Sequence, residues 1–101
     1  MQKYTRDVLN EIATNACDKK LKELDNHFSN MMERFKKRAL KGFYFCPCSF
    51  NFIDYYPIDP EELKLKFLEF VWELNQMGFN VTYDNFVEVD QHSVINYRVS
   101  W

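Results

Sequence analysis

The sequence predicts a small α+β domain: a long N-terminal helix, a strand, a second helix and a C-terminal β-hairpin, with a three-stranded antiparallel sheet packed by helix. Three observations predict it. Before Gly42 the chain has neither Gly nor Pro, and its apolar residues recur at helical spacing. The stretch Asp59 to Gly78 carries helix-start and helix-stop residues at its two ends. After Gly78 the apolar residues alternate, as in half-buried strands. A chain of 101 residues makes one domain, read as a helical arm over 1–41 and an α+β core over 42–101.

Asp59 to Gly78 is the best-marked element. Asp59 suits the N-cap and Pro60 the first helical position, while Glu62 stands at capping-box spacing. Leu63, Phe67, Phe70, Val71, Leu74 and Met77 make one apolar face. A second stripe, Leu65, Leu68 and Trp72, lies well round the helix from the first. One sheet does not cover both stripes, so something else is expected over the second.

Residues 3 to about 41 read as one helix ending at Gly42; two helices broken near Asn26 to Asn30 are the alternative. Leu9, Ala13, Cys17, Leu21, Leu24, Phe28, Met31, Met32, Phe35 and Ala39 form a nearly continuous stripe. A straight helix of this length spans ~57 Å, whereas a compact domain of this size has a radius of gyration of ~13 Å. A continuous helix therefore overhangs its domain. Val8, Leu9, Ile12, Ala13, Ala16 and Cys17 are then left for another chain to cover.

Gly42 to Ile53 reads as a strand with Tyr44, Cys46, Cys48, Phe50 and Phe52 on one side and Phe43, Phe45 and Ile53 on the other. Pro47 makes it an edge strand, a bulged one or two shorter ones. In the C-terminal hairpin, Asp84-Asn85 marks a bulge or turn and a three-residue loop at Asp90-Gln91-His92 is expected. That loop places Val87 opposite Ile95, Tyr83 opposite Val99 and Val81 opposite Trp101.

Charge is uneven. Residues 1–41 hold ten Lys/Arg and six Asp/Glu; residues 42–101 hold three and nine, for a net charge of −2. Arg34, Lys37, Arg38 and Lys41 share a face at the end of the first helix. Cations there offset the helix dipole. They are also the candidate anion site for a phosphate backbone or a nucleotide, with Phe43 and Tyr44 close by to stack on bases. Cys46-Pro47-Cys48 sets two thiols on one side of a strand. A tetrahedral zinc site needs two more ligands, and Cys17, His27 and His92 form no second pair, so structural cysteines are expected and no metal. No nucleophile elbow, phosphate loop or HExxH motif is present, which argues against an enzyme and against a cofactor.

The expected function is therefore a non-enzymatic protein-interaction module that self-associates as a homodimer or larger closed oligomer and binds an unidentified protein. Its size and aromatic richness suit a compact inhibitor or adaptor, such as a virus-encoded one. The expected interface is Leu9, Ile12, Ala13, Ala16, Leu65, Leu68 and Trp72. An oligomeric binder of an anionic small molecule such as a nucleotide is the alternative, and a nucleic-acid binder the second. With no apolar run that spans a bilayer, no signal-peptide pattern and an odd cysteine count, a cytoplasmic protein with no membrane partner is expected.

Overall fold

In the computed structural model, which describes residues 4–84, 86 and 88–101, the chain has two helices and a three-stranded antiparallel sheet. The order is α1 (Arg6–Leu40), β1 (Phe45–Asn51), a 3₁₀ turn (Phe52–Tyr55), α2 (Pro60–Gln76), β2 (Asn80–Tyr83) and β3 (Val94–Ser100). The α+β class follows the sequence pattern. The first helix is continuous, with no break at Asn26 to Asn30. Thr5 caps it by accepting a hydrogen bond from the Val8 N–H at 3.2 Å. Gly42, at φ 89°, closes it: the Phe43 N–H donates back to the Arg38 carbonyl and the Gly42 N–H to Ala39. Gly78, at φ 94°, closes α2 the same way through Phe79 to Leu74.

The start of α2 departs from expectation. Asp59 makes no side-chain cap hydrogen bond, so no capping box forms with Glu62. Pro60 sets the first turn instead, and the Leu63 N–H donates to the Asp59 carbonyl at 3.0 Å.

β3 is the central strand, with β1 and β2 at the two edges. The hairpin register differs from the sequence expectation by two residues. Val81 pairs with Val99 rather than Trp101, and Tyr83 with Tyr97 rather than Val99. The expected Val87–Ile95 pair, and the Asn85 part of the expected bulge, lie outside the described residues; Ile95 pairs with Phe50 of β1. The reason is local. Asp90 closes its own turn, accepting from the His92 N–H through Oδ1 and from the Ser93 N–H through its carbonyl. The Ser93 carbonyl then accepts from the Phe52 N–H, committing the start of β3 to β1. β2 accordingly ends at Tyr83, and Phe86 and Val89 fold back onto the core instead of extending it.

Pro47 sits in an edge strand. The Trp101 N–H donates to the Tyr44 carbonyl and the Phe52 N–H to Ser93, so even-numbered β1 residues bond to β3 and odd-numbered ones face outward. The N–H that Pro47 lacks is one that β3 does not use.

Both helices pack on one face of the sheet. Cys46, Cys48, Phe50, Ile95, Tyr97 and Val99 from the sheet join Leu24, Met31 and Phe35 of α1 and Leu63, Phe67, Phe70, Val71 and Leu74 of α2 in one core. Met77, expected on that face, stays 56% exposed at the helix end. The molecule measures 60 × 30 × 22 Å with a radius of gyration of 16.8 Å, above the ~13 Å of a compact chain of this length. The excess is α1.

Phe67 is fully buried and meets Phe50, Tyr83, Phe86 and Tyr97. Phe67→Ala should cost about 3–5 kcal/mol. Urea unfolding followed by circular dichroism checks this, and a loss below about 1 kcal/mol would contradict the core described.

Candidate functional site

The N-terminal part of α1 is bare. From Arg6 to Ala16 every residue is exposed, including Val8 (40%), Leu9 (53%) and Ile12 (53%), together with Ala13 and Ala16. Cys17 and Lys20 are the first to gain partial cover, and Leu24 is the first fully buried. Lys20 marks where the helix meets the core: its ammonium donates to the Asp54 carbonyl at 3.2 Å and pairs with Glu23. The eleven residues from Arg6 to Ala16 project beyond that point, a length of about 16 Å.

The outer side of α2 is a second bare patch. Leu65 is 60% and Trp72 63% exposed. Leu68, expected to be uncovered with them, is half-buried against the core instead. Its position between the two stripes lets it reach inward, so the patch is narrower than the sequence suggests. Between the helices, Phe28 stacks on Phe70 at 4.4 Å, and Met32 and Met77 line the groove above them.

The basic residues at the end of α1 do not act alike. Arg34, Lys37 and Lys41 are exposed. Arg38 is half-buried and turns onto β1: its Nε donates to the Phe45 carbonyl at 3.1 Å, and its guanidinium lies 3.9 Å from the Phe43 ring centre and 5.2 Å from that of Phe45. Arg98, from β3, stacks on Phe45 at 3.8 Å. Sequence reasoning missed Arg98 and Phe45, because only strand pairing brings residue 98 beside residues 45 and 47. Among the described residues, none of these cations has a carboxylate within ion-pair distance.

Cys46 and Cys48 share the buried side of β1, with their sulfurs 3.7 Å apart. Burial, reinforced by the neighbouring Cys46 thiol, pushes the Cys48 thiol up to about 12. The Tyr97 hydroxyl is buried beside Cys48, and burial, reinforced by that thiol, raises its pKa as well. Among the described residues, no three His, Cys, Asp or Glu side chains gather as a metal would require. No helix among them is long and apolar enough to cross a membrane.

His27 packs among Phe28, Phe50 and Tyr55, with Nε2 buried and unpartnered. Burial holds its pKa below the ordinary 6.5; Asp54 opposes this and Arg34 adds to it. The folded chain thus takes up the proton less readily than the unfolded chain. The stability involved is complete above the ordinary value and is lost as pH falls toward the lower folded value. Stability should therefore decline below about pH 6.5, and His27→Phe should flatten that slope. Urea midpoints across this range check it. The thiols give a second expectation. At neutral pH iodoacetamide should label half-exposed Cys17 quickly and Cys46 and Cys48 only as the chain unfolds, as peptide mapping over time will show.

The chain matches no family model, no curated protein and no solved structure, so its site is read from its own geometry.

Proposed function

We propose that the protein is a non-enzymatic interaction module that self-associates through the projecting part of α1 and presents its remaining surface to a second protein. One observation carries this: Val8, Leu9 and Ile12 stand exposed on a helical segment in which every residue from Arg6 to Ala16 is exposed. A helix of eleven residues is marginal in water on its own. Burying each large apolar side chain is worth ~1.5–3 kcal/mol, so a partner helix stabilises both the surface and the helical form. A second copy is the simplest partner, since one self-complementary stripe covers both. Ala13 and Ala16 allow the two helix axes to approach closely. The patch around Leu65 and Trp72 is separate and is the surface offered to another protein, in keeping with a compact inhibitor or adaptor. The three free cysteines suit a reducing, cytoplasmic setting.

Sedimentation velocity at tens of micromolar should show a dimer or larger closed oligomer. Leu9→Asp should convert it to monomer and strip hydrogen-exchange protection from residues 6–16, while the core stays folded. Trp72→Ala should leave the oligomer intact and weaken capture of the partner protein. A monomer with a fully protected arm, unchanged by Leu9→Asp, would overturn the proposal.

A further inference from the structure

The face of the sheet turned away from the helices has an unusual composition. Strand pairing places Phe45, Pro47, Ser49 and Asn51 of β1, Val94, Asn96, Arg98 and Ser100 of β3, and Asn80 and Thr82 of β2 on it. Asp84 continues this face opposite Asn96, whose carbonyl accepts from its N–H, so the acid stands away from the end where Phe45 lies. Pro47, Ser49, Asn80, Thr82, Asn96 and Arg98 are all exposed, and no helix crosses them. The surface is open and shallow rather than an enclosed cavity.

At one end of this face, guanidinium groups and aromatic rings converge. Arg98 and Arg38 both approach Phe45, and Arg38 also lies on Phe43. Arg38 is held in place by its Nε bond to the Phe45 carbonyl. Tyr44, between Phe43 and Phe45 in the chain, is 74% exposed at the rim of the sheet; the Trp101 N–H fixes its backbone at 2.9 Å, and the Trp101 ring packs on the helix side against Phe35 and Phe79. Arg34, Lys37 and Lys41 extend the positive charge along the last turns of α1. Like charges gathered around rings, without a carboxylate in ion-pair range among the described residues, leave an anion as the missing partner.

We infer that this face and its rim bind single-stranded nucleic acid, with Arg38 and Arg98 on backbone phosphates and Tyr44, at the rim, stacking on a base. A strand fits better than a mononucleotide because the surface is extended and open, with polar Ser49, Asn96 and Thr82 continuing from the basic end. It fits better than a duplex because flat aromatic rings reach only unpaired bases. The basic end lies at the C-terminus of α1, so the projecting N-terminal arm does not obstruct it.

The test is fluorescence anisotropy of the full chain with a labelled oligothymidylate and a matched duplex, titrated with salt. Binding at low salt should favour the single strand, and log K should fall with log salt by about 0.7 for each phosphate engaged. Tyr44→Ala should weaken binding about tenfold, a typical cost of losing one base stack. Arg98→Gln should weaken it and reduce the salt slope by about 0.7, whereas Lys22→Gln, on the far part of α1, should change the affinity by less than about twofold. Neither Tyr44→Ala nor Arg98→Gln removes a buried side chain, so circular dichroism should show the fold unchanged. No binding at low salt, equal binding to the duplex or to polyglutamate, or equal sensitivity to Lys22→Gln would overturn the inference.

Discussion

Phe50 and Phe67 stack at 6.0 Å with neither ring exposed, and the rest of the fold depends on that contact. Phe50 comes from β1 and meets His27 and Phe28 of α1 and the turn residues Phe52 and Tyr55. Phe67 comes from α2 and meets Tyr83 of β2, Phe86 and Tyr97 of β3. Each element of the structure therefore contributes a ring to one connected set. In a small domain with a short sheet, such rings contribute large buried areas from few residues. The core so built leaves the projecting turns of α1 and the outer side of α2 exposed.

The parts of the fold legible in the sequence are those set by local chemistry. Gly42 and Gly78 end the helices because each position needs a positive φ, and the spacing of Leu63, Phe67, Phe70, Val71 and Leu74 identifies the buried side of α2. What was not legible depends on partners distant in sequence. The hairpin register follows from Ser93 binding Phe52, forty-one positions away, and no alternation rule contains that bond. Phe52 was read as a strand residue but lies in a 3₁₀ turn, where it still points inward. The basic cluster was legible as a charged helix end. Its relation to Phe45 and Arg98 was not, because cation–ring contacts have no sequence period.

The continuity of α1 gives the molecule two chemically different ends. Arg6 to Ala16 projects past the 3₁₀ turn, while Arg34 to Leu40 runs beside the start of β1. One end is apolar and the other cationic, which explains how a chain of small net charge carries a concentrated positive field. The continuous helix holds the ends apart, so the proposed ligand at one would not compete sterically with the proposed partner at the other.

Pro47 and Arg38 together have a consequence for assembly. An unguarded strand edge is a template on which further chains pair into ribbons without limit. Here the outward row of β1 lacks a donor at Pro47, and its Phe45 acceptor is already taken by Arg38. The opposite rim, β2, is only four residues long. Strand-by-strand growth is therefore blunted at both margins. Under the proposed self-association, this favours helix contacts, which close at a finite number, over fibres, which do not.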